Sequence, residues 1–523
     1  MEQIYDYVVV GSGFGGSVSA MRLAEKGYSV LVIEKGKEWK TADFPKTNWS
    51  LHKFFWFPLL KWFGIQQLSF FKKVFVLSGT GVGGGSLVYA NTHLIPNDVF
   101  FNNPSWAHFK NWKTELLPFY EKAKYMLGTT KIPVFHREDE ILKEVAEDMG
   151  RADSFKAVDV GVYFGDADKE VDPYFDGEGP LRSGCTNCAG CMVGCRYNAK
   201  NTLDKNYLYF AKKYGAEILP EHQVDKIDFN NNLYKISTHQ STSYFKKQKH
   251  FKAKGIVFSA GVLGTLKLLL NQKYKYKTLE RLSDTLGKAV RTNSESLCGI
   301  GLANEKLNHG VAISSTFQAD DDTKVEIVKY SDGSGVMGKF ATIAVDGTHP
   351  VLRVFKWFFT MLRHPITTIK LFFDFEFGSR GLILLVMQNL DNAMQISLKK
   401  SILGNRLSLD NEKDKKVPTY LGIGQEVMRR YAEKVGGTPL NAVTEIGLNM
   451  ATTAHIMGGC QMGDNASEGV VNAYFAVHGY PNMYILDGSI IQGNLGVNPS
   501  LSITAISEYA MSKIAIKTNL PKS

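Results

Sequence analysis

The stretch from Tyr5 to Gly36, YDYVVVGSGFGGSVSAMRLAEKGYSVLVIEKG, constrains the fold more than any other part of the chain. Residues 7–10 are short, apolar and β-prone, the pattern of a buried strand. Gly11, Gly13 and Gly16 follow at the spacing G-x-G-x-x-G, and a helix-patterned run over 17–26 comes next. Each glycine has a physical reason: Gly11 permits a tight turn, Gly13 lets backbone approach a pyrophosphate, and Gly16 lets the helix lie close on the strand. The helix N-terminus offers unpaired N–H groups and a positive dipole to phosphate oxygens. Gly27 and Tyr28 close the helix, and a second strand over 29–33 delivers Glu34 where a carboxylate accepts from an adenosine ribose and disfavours a 2′-phosphate. Strand, glycines, helix, strand and acid in this order predict a nucleotide-binding βαβ unit.

A chain of 523 residues is too long for one compact core, so two or more domains are expected. With 44% hydrophobic and 21% charged residues it has ample core material, and no repeat or low-complexity tract interrupts it. The net charge of +10 suits nucleic acid, an anionic membrane surface or solubility alone, and no nucleic-acid motif favours the first. The first strand begins too near Met1 for a secretory signal, and no run reaches the ~18 apolar residues of a spanning helix, so a cytoplasmic protein, soluble or peripheral to a membrane, is expected.

Residues 49–75 hold ten aromatics interspersed with Lys53, Lys61, Lys72 and Lys73, which reads either as core or as an apolar lid over a substrate. Directly after them, Gly79, Gly81, Gly83, Gly84 and Gly85 put five glycines in seven residues, enough for backbone to lie flat on a large planar ligand. A second glycine cluster of this kind points to a flavin. Residues 97–150 read as helical and connecting. Cys185, Cys188, Cys191 and Cys195 have the spacing of ferredoxin ligand runs, with Arg196 where those have proline. An iron–sulfur cluster and a zinc knot are both readings of that run, but one run cannot complete a two-cluster arrangement, and buried thiols in a tight turn are the preferred reading, with no metal expected.

Further on, residues 224–229 and 255–259 read as strands that rejoin the first sheet, the second opening on Ala260 and Gly261 and a helix. Residues 296–450 are strand-rich, with an acidic loop at 320–322. Within them 351–362 is helix-like, Arg353, Lys356 and Arg363 fall on one narrow arc, and Pro365 interrupts. That basic arc beside aromatics suits either a membrane interface or a packed helix with a solvated charged edge.

Four segments together carry a resemblance: GTGVGGGSLVYAN at 79–91, AGVLGTLKLLL at 260–270, HIMGGCQMG at 455–463 and DGSIIQGNLGVNPSLSITA at 487–505. The chain resembles the glucose–methanol–choline (GMC) oxidoreductase family, and within it the cholesterol oxidase-like branch. The resemblance implies an α/β (α+β overall) architecture, with a Rossmann-like FAD-binding domain assembled from 1–100, 200–295 and 464–523. A substrate domain of 101–199 and 296–463, built on a largely antiparallel sheet, is interleaved with it. The cofactor-binding set it implies is Gly11, Gly13, Phe14, Gly16, Glu34, Gly79, Gly83, Gly84, Ser86, Asn91, Val224, Ala260, Gly261, Asp487, Gly488 and Asn498. His455 matches the active-site histidine, and Asn498 the asparagine before Pro499. Ile456 stands where cholesterol oxidases have proline, and the glutamate base of the compact enzymes has no recognisable position.

The implied activity is FAD-dependent oxidation of the CH–OH group of a bulky apolar alcohol, a sterol, by hydride transfer to flavin N5. His455 is the expected base and Asn498 the clamp on the alcohol oxygen. Oxygen or another acceptor would take the electrons. The alternatives are a flavin dehydrogenase of an alcohol or sugar serving a protein or quinone, and a non-catalytic flavin- or lipid-binding protein.

Overall fold

A computed structural model describes residues 3–401, 404–413 and 415–518. The first strand, Ile4–Val10, is buried from Tyr5 onward and pairs in parallel with Val30–Ile33 on one side and Gln248–Phe258 on the other. Continuous apolar sequence is what a strand covered on both faces requires. Glu217–Leu219 extends the sheet outward from Val30–Ile33. The eleven-residue strand Gln248–Phe258 changes neighbours along its far edge. Its first half pairs antiparallel with Leu233–Gln240, itself hairpinned to His222–Asn230, while Ile256, Val257 and Phe258 pair in parallel with Met483, Tyr484 and Ile485.

Helix Phe14–Glu25 starts at once after the glycine turn, three residues before the periodicity of its apolar side chains suggests, because Gly13 already stands in the N-cap position. It packs against the last helix, Ser500–Ser512. The two are tied by Arg22, whose guanidinium meets Glu508 at 2.8 Å, and Tyr207 donates to the same carboxylate at 2.8 Å.

A second sheet of seven strands is antiparallel throughout. Its order is Ala341–Ile343, Thr438–Ala442, Ser296–Gly301, Leu382–Gln388, Thr323–Val328, Ser315–Gln318 and Lys156–Ala157. Helices Arg137–Asp148 and Gly422–Lys434 cover it through one apolar stripe each, Ile141, Leu142 and Val145 from the first and Val427, Met428 and Tyr431 from the second. A Rossmann-like parallel sheet joined to an antiparallel one is thus the architecture expected from the sequence.

A small sheet links the two. Val290–Arg291 pairs antiparallel with Met457–Gly458, Val290 opposite Gly458 and Arg291 opposite Met457. Followed two residues further, that register sets Asn293 beside His455.

Of the arc formed by Arg353, Lys356 and Arg363, Lys356 and Arg363 are solvated as the helical periodicity suggests and Arg353 is not. Helix Pro350–Arg363 turns Arg353 inward, where it is 4% exposed and ion-paired to Glu445 at 2.6 Å, while Phe355, Phe358 and Phe359 face outward. Periodicity fixes which residues share a face, and only the partner decides which face is inside. Here the partner is a buried carboxylate. Pro365 ends this helix and begins the next, Pro365–Phe372, at a position where a missing N–H costs nothing.

Candidate active site and cofactor cradle

The turn after Ile4–Val10 has the close approaches the glycine spacing predicts. Gly11 takes φ +96°, a left-handed conformation that strains any side chain, and a Cβ on Gly16 would lie 2.0 Å from the Gly11 carbonyl oxygen. Gly13 differs: a Cβ there would project into open space, as it would at Gly261. The second glycine cluster lies against the first, since a Cβ on Gly84 would stand 2.7 Å from Gly13 Cα, and one on Gly79 would meet the Gly84 carbonyl oxygen at 2.6 Å.

Glu34 holds this region together. Its Oε2 accepts from the Ser12 amide (3.1 Å) and hydroxyl (2.8 Å), and its Oε1 from the Gly36 amide (2.9 Å). Ser12 Oγ in turn accepts from the Gly83 amide at 3.1 Å, so one carboxylate organises both glycine loops and keeps lone pairs for a further donor. Ser86 Oγ donates to the Gly83 carbonyl (2.7 Å) and accepts from the Leu203 amide (3.1 Å). The Phe14 ring lies 3.6 Å from where a Gly85 Cβ would sit. Val224 is buried at a bulge in His222–Asn230, two residues beyond the His222 amide that donates to the Glu34 carbonyl oxygen (2.9 Å).

On the other side, Asp487 gathers the remaining expected residues. It accepts from Thr265 Oγ1 (2.5 Å) and from the Ser489 amide (2.9 Å) and hydroxyl (2.6 Å), and the Gly261 amide also donates to it. Burial raises its pKa, and those donors pull the other way. Ala260 caps helix Gly261–Leu270, and Gly488 opens a short turn behind Asp487.

Asn91 supplies the test of fit for a ligand. It is fully buried at φ +67°, and neither its Oδ1 nor its Nδ2 has a protein partner. Unpartnered buried polar groups cost roughly 1–3 kcal/mol each, so a bound group that pairs with them is the economical account. Orphaned amide, open space at Gly13 and Gly261, and a helix N-terminus behind the turn together suit a dinucleotide with a flat ring.

His455 and Asn498 come together through residues that motif reading did not reveal. The imidazole is buried, with Nδ1 in contact with Oε1 of Glu295, while Glu295 Oε2 accepts from the Ala454 amide at 2.7 Å. Asn293 Nδ2 lies 3.3 Å from the same Nδ1 and donates to the Val497 carbonyl at 2.9 Å, which fixes the loop before Asn498 against the histidine. Asn498 Nδ2 donates to Glu326 Oε2 at 3.3 Å, leaving Asn498 Oδ1 and Glu326 Oε1 without protein partners. Glu326 sits in Thr323–Val328 of the antiparallel sheet with no solvent exposure. Burial raises its pKa, against the opposing pull of Lys324, the Asn498 hydrogen bond and His455. For His455, burial disfavours the charged ring, but Glu295, by charge and hydrogen bond, and then Glu326 outweigh it and hold the pKa above 6.5. The site thus has a desolvated carboxylate with one free oxygen, an amide with a free oxygen, and an imidazole anchored through Nδ1. The sequence signal for Glu326 was an acid inside the otherwise apolar run VEIV.

The four cysteines of the run are free thiols. Among the described residues, no three His, Cys, Asp or Glu side chains are arranged to hold a metal ion. Burial pushes the Cys191 thiol up to about 11. Lys200 ties this loop to the second glycine cluster, its ammonium donating to the carbonyl oxygens of Cys191 (2.7 Å), Tyr89 (2.9 Å) and Leu87 (3.1 Å), and burial lowers its pKa to about 7.

A glycine turn at a helix N-terminus packed on a second glycine loop, in one chain with a buried His–Glu–Asn group, is the arrangement a flavin-dependent alcohol oxidoreductase requires. Residues 181–274 and 413–507 match GMC oxidoreductase, and 9–39 match an NAD(P)-binding Rossmann-like domain. A cholesterol oxidase from Acinetobacter baumannii is 40% identical over 99% of this chain and 95% of its own length. One from Mycobacterium tuberculosis is 42% identical over 98% and 91%. Among solved structures, pyridoxine 4-oxidase from Mesorbium loti superposes with a TM-score of 0.63 at 16% identity, covering 97% of this chain and 99% of that one, a likeness of fold. The chain belongs to the GMC oxidoreductase family, in its cholesterol oxidase-like branch, and is an FAD-dependent enzyme acting on alcohols.

Proposed function

We propose that this enzyme oxidises the hydroxyl of a sterol or comparably bulky apolar alcohol, with oxygen as electron acceptor. The observation that carries the reading is the Glu326–Asn498–His455 group: a carboxylate, an amide and an imidazole, all buried, two of them with an unpartnered oxygen. The 40–42% identity to cholesterol oxidases over nearly the whole chain supports the substrate class and the acceptor.

FAD, if held between the two glycine loops, would supply the hydride acceptor for the alcohol carbon. The phosphates would rest on the Gly13 turn and the N-terminus of Phe14–Glu25, the adenosine ribose on Glu34, and the ring portion near Asn91 and Gly488. The protein's own part is the proton. Glu326 Oε1 is free and desolvated, and burial raises the carboxyl's pKa, which suits a carboxylate that takes the alcohol proton. His455, held by Glu295 on Nδ1, presents Nε2 as a donor to the alcohol oxygen, which it stabilises as charge develops there. This division assigns the base to Glu326 rather than to His455, because Glu295 favours the protonated imidazole. Asn498 aligns Glu326 through Nδ2 and keeps Oδ1 for the substrate hydroxyl.

Anaerobic mixing with a panel of sterols, long-chain alcohols, sugars and choline tests the proposal. Bleaching of the flavin band by sterols, followed by hydrogen peroxide release when air is admitted, is the expected result. Bleaching by sugars or choline alone would overturn the substrate class, and reduced flavin that persists in air would overturn oxygen as acceptor.

A further inference from the structure

The helix pair Pro350–Arg363 and Pro365–Phe372 is built inside out. Along the first helix the inward positions are Arg353, Trp357, Thr360 and Met361, at i, i+4, i+7 and i+8. Two of these inward residues, Arg353 and Trp357, make polar contacts with the protein. Arg353 donates to the Val345 carbonyl (2.9 Å) and pairs with Glu445, and Trp357 Nε1 donates to Thr342 Oγ1 at 2.9 Å. The apolar side chains point away from the protein: Phe355 is 59% exposed, Phe359 61%, Ile366 70% and Phe372 72%. Scattered exposed apolar residues need no explanation, but a contiguous patch of this density marks an interaction site.

The patch extends across the chain. The Trp49 ring is 5.5 Å from Phe375, and Phe70, itself exposed, stacks on Phe75 at 4.4 Å, which in turn lies 6.4 Å from Phe340. The aromatic stretch 49–75 therefore touches Phe375, three residues beyond the helix pair, and Phe340, which precedes it. The hairpin Trp56–Phe57 and Trp62–Phe63 carries Leu59, 93% exposed, and Leu60 at its tip, beside Lys61.

We propose that this face docks on an anionic lipid bilayer, the helix pair lying in the plane of the interface. Charge decides among occupants. From Pro350 to Phe372 the chain has no Asp or Glu, while Lys356, Arg363 and Lys370 are exposed around the apolar side chains. A second copy of this chain would bring the same cations against themselves, whereas anionic headgroups complement them. No helix among the described residues is long and apolar enough to cross a membrane, which fits a helix pair lying on its surface.

The anchor of the docking helix is also close to the chemistry. Glu445, which grips Arg353 with one oxygen, accepts from Ser296 Oγ at 3.2 Å with the other, and Ser296 adjoins the Glu295 that holds His455. The choice of lipid as partner deepens the reading of an apolar alcohol as substrate and rests on it for the purpose of docking. The surface itself stands on geometry alone.

Co-sedimentation of the FAD-loaded protein with vesicles of phosphatidylcholine containing a minority of phosphatidylglycerol tests the proposal without any sterol present. Wild type should sediment with these vesicles and several-fold less with phosphatidylcholine alone. Phe355→Ser/Phe359→Ser should lower the partition coefficient by roughly tenfold or more. Lys356→Glu/Lys370→Glu, which leaves the apolar face intact, should remove the dependence on phosphatidylglycerol. Both variants should keep the wild-type flavin spectrum and melting temperature. Unchanged sedimentation of both would overturn the proposal, as would a wild-type dimer in analytical ultracentrifugation that Phe355→Ser/Phe359→Ser dissociates. Because the vesicles hold no substrate, failure of sterols to bleach the flavin would leave this result standing.

Discussion

Glu295 meets the histidine segment twice, one carboxylate oxygen on His455 Nδ1 and the other on the Ala454 amide at 2.7 Å. The carboxylate on Nδ1 favours a proton there and leaves Nε2 as the nitrogen away from Glu295. Because His455 sits above 6.5 with this partner, the imidazolium persists to higher pH than an isolated ring would. Glu295→Gln removes the charge and lets the proton leave at lower pH. If the protonated ring is the working donor, the alkaline limb of kcat/KM moves to lower pH in Glu295→Gln, with a loss of about 10- to 100-fold at mildly alkaline pH. Glu295→Asp should restore part of both. An alkaline limb unmoved in Glu295→Gln would leave Glu295 a structural role only.

Glu326→Gln should leave FAD bound and slow the anaerobic reduction of the flavin by about 10² to 10⁴, the usual cost of losing a general base. Asn498→Ala should cost about 10² to 10³, as for an oxygen clamp. Since the Asn498 amide positions the Glu326 carboxylate, the double variant should fall well short of the product of the two losses. The raised pKa of Glu326 also places the acid limb of kcat/KM above 4.5, and Glu326→Gln should abolish that limb. Reduction rates within threefold of wild type for both single variants would remove these residues from the chemistry.

The glycines of the first turn should separate folding from cofactor binding. A side chain on Gly16 would run into the Gly11 carbonyl oxygen at 2.0 Å, so Gly16→Ala should lower the melting temperature of the apoprotein. A Cβ at Gly13 would meet no protein atom within 4 Å, so the Gly13→Val apoprotein should melt near wild type while FAD retention on a desalting column is lost. Full flavin content in Gly13→Val would place the phosphates elsewhere.

Acid should weaken the fold partly through Asp6. Although burial opposes ionisation, Lys517, Ser29 and Lys254 hold its pKa below the ordinary 3.8. A carboxylate with a depressed folded-state pKa stabilises the fold above its unfolded value, and that contribution fades as pH falls through 3.8 toward the folded value. Asp6→Asn should therefore be less stable than wild type near neutrality, the gap narrowing as pH drops below about 4. Melting curves against pH read it directly, and a gap that stays constant would exclude the linkage.

What could be read from the sequence and what could not divides along physical lines. The Gly11–Glu34 turn was legible because all its parts lie within one βαβ unit, where spacing alone fixes geometry. His455 and Asn498 were legible as contiguous motifs. Glu326 was not, because one acid in an apolar strand has no local partner, and its meaning arises only when Asn498, 172 residues later, reaches it. Glu295 was hidden for the same reason, needing the pairing of Val290–Arg291 with Met457–Gly458 to bring it to the histidine. Helix Pro350–Arg363 carries Arg353 on one arc with Lys356 and Arg363, but Arg353 alone is drawn inward, by Glu445, 92 residues away.

The strand Gln248–Phe258, which takes different neighbours along its two halves, has a consequence for how the enzyme is made. Its second half stays an open edge on the ribosome until Met483–Ile485 emerges, after the whole antiparallel sheet has been synthesised. At about 5–20 residues per second the nascent amino-terminal strands wait on the order of tens of seconds for that last neighbour. Asp487, which gathers Gly261 and Thr265, arrives only two residues later. A chain truncated before residue 483 would carry the nucleotide fingerprint without the strand that completes its sheet.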